Sequence, residues 1–145
     1  MEVNFYQVDD IAYRSIAPVL IKIIDDDKKA LIFCQNEAQK VEIDNGLWSF
    51  SKTKFIPHAT ISDKLDHSIQ PIFITELPEN PNKANYLIML GETTDEMLSQ
   101  FEKIFYFFGS GNLQDARRLW KKYKSQSASL NFYKKNEGKW KKIDL

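Results

Sequence analysis

A chain of 145 residues and 17.0 kDa with 43% hydrophobic side chains can fill one sizeable core, and one domain spanning residues 1–145 is expected. Ten Phe, six Tyr and three Trp, with five scattered Gly and five scattered Pro, exclude a disordered or low-complexity chain. No apolar run nears the roughly 20 residues that cross a bilayer, the opening MEVNFYQVDD is not leader-like, and the single Cys34 excludes an internal disulfide, so a cytoplasmic protein away from membranes is expected.

In chain order, Val3 to Val8 reads as a first strand, and Ile11 to Ile24 carries Ile11, Ala12, Ile16, Val19, Leu20 and Ile23 at helical spacing. The acidic turn DDDKK precedes Ala30 to Cys34, a short continuous apolar run suited to a strand buried on both faces. Asn36 can cap a helix running to about Leu47. Trp48 to Gln70 is a long connection, and strands are expected at Pro71 to Thr75 and Tyr86 to Leu90 on either side of the loop ELPENPNKAN. A helix from Asp95 to about Ile104, a turn at Gly109 to Asn112, a strong helix from Leu113 to Gln126 and a short strand at Leu130 to Tyr133 complete the pattern. Strands alternating with helices predict a single-domain, Rossmann-like α/β fold with a mainly parallel sheet flanked by helices.

Such a sheet binds nucleotides through a glycine-rich turn after the first strand, and this chain has Gln7-Val8-Asp9-Asp10 there. Two carboxylates would repel phosphate, so no nucleotide cofactor is expected. His58 and His67 have no ligand-spaced partner, so no metal site is expected either. A Cys34 nucleophile assisted by His58 is disfavoured because a cysteine in a buried strand is commonly inert. No spacing singles out a catalytic pair, and no catalytic residue is assigned.

Charge is the more informative signal. Residues 1–111 hold 10 basic and 17 acidic side chains, a balance of −7, whereas residues 112–145 hold 10 basic and 3 acidic ones, a balance of +7. The C-terminal quarter therefore suits nucleic acid or an acidic protein segment, or is a solvated lysine-rich end. On the helix from Leu113, Lys121, Lys124, Leu113 and Trp120 all project within about 60° of Arg117, while Ala116, Leu119 and Tyr123 form the core face. Asp115 can pair with Arg118, which leaves Arg117, Lys121 and Lys124 without an acidic neighbour at helical spacing. Cations beside an aromatic suit an acidic peptide with an apolar end, or single-stranded nucleic acid. A second cluster, Leu47-Trp48 with Phe55-Ile56-Pro57-His58, either covers the core or forms an exposed patch for a partner.

Taken together, Phe5-Tyr6, Leu47-Trp48, FIPH at Phe55 to His58, Pro71 to Ile74, AR--WK-YK at Ala116 to Lys124, Leu130 with Tyr133-Lys134 and the late Gly138-Lys139-Trp140 resemble the chi subunit of bacterial DNA polymerase III over essentially the whole chain. The resemblance implies a non-enzymatic clamp-loader subunit with a Rossmann-like fold. It implies two protein partners, the psi subunit and the acidic C-terminal tail of single-strand DNA-binding protein, with nucleic acid engaged only indirectly. Carried over by position, Trp48, Phe55, Pro57 and His58 would face psi, and Arg117, Trp120, Lys121 and Lys124 would receive the tail. Two departures are expected to reshape the tail pocket: Ser127 stands where the family usually has glycine, and the strand before the basic helix ends in Phe107-Phe108-Gly109 where an aspartate is common. The rival reading is a direct single-stranded nucleic-acid-binding module that uses the same basic helix.

Overall fold

Alternating side chains in the first strand divide the molecule into two apolar layers, because successive residues of a strand point to opposite faces. The computed structural model describes residues 1–50, 56–64, 66–136 and 139–144. Its strands are β1 (Glu2–Gln7), β2 (Ala30–Phe33), β3 (Ile72–Thr75), β4 (Tyr86–Met89), β5 (Lys103–Phe108), β6 (Ser129–Asn136) and β7 (Lys139–Ile143), and its α-helices are α1 (Tyr13–Asp25), α2 (Glu37–Ser49), α3 (Asp95–Leu98) and α4 (Leu113–Ser125). One sheet joins the strands in the order β3-β2-β4-β5-β1-β6-β7. All pairs are parallel except the final β6–β7 hairpin.

Val3 and Phe5 pack with Met97 and Leu98 of α3 and with Ala116, Leu119 and Tyr123 of α4. Tyr6 and Val8 pack with Ile16, Leu20 and Ile23 of α1 and Ile43 and Leu47 of α2. The sheet is thus flanked by helices on both faces, the α/β architecture that the alternation of elements predicts. Every residue of β2 is buried, as a continuous apolar run between two parallel neighbours requires. Asn36 caps α2 by accepting a hydrogen bond from the Gln39 N–H at 2.8 Å. In the long connection after α2, Ala59 bridges Phe73 and covers part of the β3 edge, and a single 3₁₀ turn spans His67–Ile69.

Two expectations are corrected. The helix foreseen from Asp95 to about Ile104 is the four-residue α3 alone, and Ile104 belongs to β5. The run KIFYFF buries Ile104, Tyr106 and Phe108 on one face and Phe107 on the other, between β4 and β1, so pairing from both sides overrides the short helical spacing before it. The final strand is also longer than Leu130 to Tyr133, and it turns back into β7, whose lysines conceal any strand-like alternation. Among the described residues no helix is long and apolar enough to cross a membrane.

Two backbone positions yield stability predictions of opposite sign. A Cβ on Gly46 of α2 would clash with one edge of the Tyr13 ring of α1, so Gly46→Ala should lower stability by about 1–3 kcal/mol despite the helix preference for alanine. Ser127, in the left-handed region at φ 60°, ends α4 while the Ala128 N–H donates to the Tyr123 carbonyl at 3.1 Å. A glycine there carries no Cβ penalty, so Ser127→Gly should raise stability by about 0.5–1 kcal/mol. Urea denaturation midpoints check both.

Candidate functional site

α4 starts after Gly109 and the 3₁₀ turn Ser110–Asn112, at the carboxyl end of β5, and runs back across the sheet. Asp115 in its first turn and Lys122 and Lys124 in its last complement the helix dipole. Ala116, Leu119 and Tyr123 are buried, as the projection requires, and Arg117, Lys121 and Lys124 are exposed.

The cations of α4 fall into two groups. Arg118 makes a two-pronged contact with Glu92, Nη1 to Oε1 at 3.1 Å and Nη2 to Oε2 at 2.6 Å, and also reaches Asp115 at 3.4 Å. That hydrogen bonding holds the Glu92 carboxyl below its usual range. Lys122 contacts Asp95 Oδ1 at 2.9 Å. Arg117, Lys121 and Lys124, by contrast, have no carboxylate within 4.0 Å among the described residues.

Beside the unpaired group lies a groove of about 350 Å³ lined by Phe5, Gln7, Phe108, Leu113, Ala116, Arg117, Trp120, Lys121 and Phe132. Trp120 is half-buried, with its ring 5.0 Å from Phe5 and 6.4 Å from Phe132, both steeply inclined, so it packs on the core and still walls the groove. Three of the four expected tail residues, Arg117, Trp120 and Lys121, therefore meet around one cavity, whereas Lys124 lies on the same stripe outside its lining. Phe5, Gln7, Phe108 and Phe132 were missed as site residues, because only the strand register brings Phe5 opposite Phe132. The groove thus offers an apolar, aromatic floor with uncompensated positive charge on one rim.

The second expected cluster lies on the other side of the sheet. Trp48, near the end of α2, is 52% exposed, as are Val41 at 48% one heptad earlier and, beyond the helix, Leu77 at 49%. His58, which the resemblance would set toward psi, is buried: its ring centroid is 4.2 Å from that of Trp48, its Nδ1 is 2.6 Å from the Ile56 carbonyl oxygen, and its Nε2 is 3.2 Å from the Asp44 carbonyl oxygen. These contacts tie the segment to α2 and place His58 beneath Trp48. Pro57 is half-buried, Ile56 is core, and Phe55 lies outside the described residues. Val41 was missed because an isolated valine on a polar helix face carries no signal in sequence.

Cys34 is fully buried, and burial pushes its thiol up to about 12, with Glu76 adding and Lys40 opposing. The His58 ring nitrogens engage Ile56 and Asp44. Among the described residues no group of three or more His, Cys, Asp or Glu could hold a metal ion. At the carboxyl ends of β1 and β5, where α1 and α4 leave for opposite faces of the sheet, the exposed carboxylates of Asp9 and Asp10 stand where a phosphate-binding turn would lie.

Comparison with known proteins places this architecture. The family model described as DNA polymerase III chi subunit, HolC, matches residues 1–131. A probable DNA polymerase III subunit chi of Rickettsia prowazekii is 24% identical over 148 residues, covering 96% of this chain and 89% of that one. A DNA polymerase III subunit chi of Haemophilus influenzae is 31% identical over 107 residues, covering 72% and 74% respectively. The chain belongs to the DNA polymerase III chi subunit family, whose members are accessory subunits of replication.

Proposed function

We propose that this chain is a non-catalytic adaptor in the cytoplasm that links the clamp loader to protein-coated single-stranded DNA. The α4 groove takes the acidic C-terminal tail of single-strand DNA-binding protein, and the α2 surface around Trp48, with Phe55 and Pro57, takes the psi subunit. The observation that carries this reading is the sorting of charge on α4: Arg118 and Lys122 are neutralised by the chain's own carboxylates, whereas Arg117 and Lys121 have no carboxylate partner among the described residues and stand at an aromatic groove. An Arg guanidinium can clamp a carboxylate with paired hydrogen bonds, and the cavity between Trp120, Phe5 and Phe132 suits one terminal aromatic side chain. The two surfaces lie on opposite faces of the sheet, so both partners can be held at once.

An interface this small suits micromolar affinity, about −8 kcal/mol, and its exposed charges are screened over about 10 Å at 0.1 M salt. In fluorescence polarisation, a labelled acidic peptide ending in a free aromatic carboxylate should bind saturably and weaken as salt rises. Arg117→Ala should reduce that affinity by about tenfold or more, whereas Arg118→Ala, which breaks the pairing with Glu92, should change it little. Salt-independent binding would place the ligand elsewhere. Failure to bind the peptide, together with tight binding of bare single-stranded oligonucleotide, would replace the adaptor with a direct nucleic-acid binder.

A further inference from the structure

The β6–β7 hairpin extends past the residues that the family model matches, and it carries five lysines whose placement follows from strand register. In the parallel β1–β6 pairing, Phe5 stands opposite Phe132 and Gln7 opposite Lys134. In the antiparallel β6–β7 pairing, Phe132 stands opposite Ile143 and Lys134 opposite Lys141. Residues opposite one another share a face of a sheet, as do residues two apart on one strand. Since Phe5, Gln7 and Phe132 line the α4 groove, Lys134, Lys141 and Ile143 stand on that same face, with Lys139 next along β7.

This side of the hairpin is open. Lys134, Lys139 and Lys141 are exposed, Ile143 is half-buried, and none of these lysines has a carboxylate within 4.0 Å among the described residues. The opposite side differs, because there Lys135 sits 5.3 Å from the centroid of the Trp140 ring, a cation–π contact within the hairpin itself. Lys134 facing Lys141 is a juxtaposition of like charges, which weakens a strand pair unless a counter-charge lies between or above them.

Arg117 and Lys121 on α4 edge the groove, whose lining includes Phe5, Gln7 and Phe132; on the same face, Lys134 and Lys141 continue the row of Gln7 across β6 and β7, beside the row of Phe5, Phe132 and Ile143. We propose that Lys134 and Lys141 are the second wall of the tail groove, so that the site holds an extended segment with several carboxylates upstream of its terminal aromatic residue. This rests on the tail reading of the α4 groove and adds a length requirement to it. A peptide fits the floor better than a nucleic acid does: the floor is an apolar strip suited to alternate side chains of an extended chain, and Trp120 is half-buried between Phe5 and Phe132.

The test uses two labelled peptides at low salt, a short one with two acidic residues before a terminal Phe and a longer one with further acidic residues upstream. Wild type should bind the longer peptide about fivefold tighter or more. The double variant Lys134→Ala/Lys141→Ala should erase that difference and leave the short peptide unaffected. Lys135→Ala/Lys142→Ala, which removes the same charge from the other face, should preserve it. Equal binding of both peptides to wild type, or an undiminished difference in Lys134→Ala/Lys141→Ala, overturns the second wall while the tail reading stands. If wild type binds neither peptide, the tail reading itself fails. A single-stranded oligonucleotide of matched charge that competes as well as the longer peptide, and loses affinity in Lys134→Ala/Lys141→Ala, overturns the peptide assignment in favour of nucleic acid.

Discussion

The ring of Phe5 joins the sheet to the helix that carries the cations. It is 1% exposed and lies 5.4 Å from Tyr106, 6.3 Å from Phe108, 5.0 Å from Trp120 and 6.3 Å from Tyr123, centroid to centroid. Inclined aromatic pairs are directional as well as apolar, so one side chain of β1 fixes both the height of α4 above the sheet and the orientation of Trp120. α4 rests on this cluster and also meets β6 through Trp120 and Phe132, and the groove is lined by residues of α4, β1, β5 and β6. Phe132, opposite Phe5 in the adjoining strand, is then exposed enough to form the floor.

Electrostatics complete what packing begins. The chain neutralises Arg118 with Glu92, shortly before the short α3, and Lys122 with Asp95, its first residue, and so turns one flank of α4 into a self-contained surface. Among the described residues no carboxylate pairs with the cations of the other flank. Exposed pairs such as these stabilise a fold little, so their consequence is a sharp boundary between satisfied and unsatisfied cations. That boundary makes α4 cationic on one side rather than a uniformly basic helix, with Arg117 and Lys121 beside a cavity.

Much of this was legible in the sequence where a local period decides the outcome. The β1-α1-β2-α2 opening appears within a residue or two of its expected limits, and the buried and exposed faces of α4 are those that Ala116, Leu119 and Tyr123 project against Arg117 and Lys121. The strand β5 was misread because Ile104 continues the helical spacing of Met97, Leu98 and Phe101, and only pairing with β4 and β1 assigns it to the sheet. The partner of Arg118 was half visible: Asp115 lies at helical spacing, but Glu92, 26 residues away, makes the shorter contacts. His58 reads as a polar end to an apolar cluster, yet it is buried because Asp44 and the Ile56 carbonyl oxygen meet its ring nitrogens. The groove lining depended on register across three strands, which no window of sequence contains.

The three tryptophans report three separate surfaces: Trp48 the α2 patch, Trp120 the α4 groove, and Trp140 the far side of the hairpin, against Tyr6. Titrating isotope-labelled protein with an acidic peptide ending in a free aromatic carboxylate, and following the three indole N–H signals by NMR, therefore locates the bound tail directly. A tail seated between α4 and β6 moves the Trp120 signal and leaves Trp48 and Trp140 in place. A Trp120 signal that stays fixed at saturation while Trp48 or Trp140 shifts would contradict the groove as the binding site.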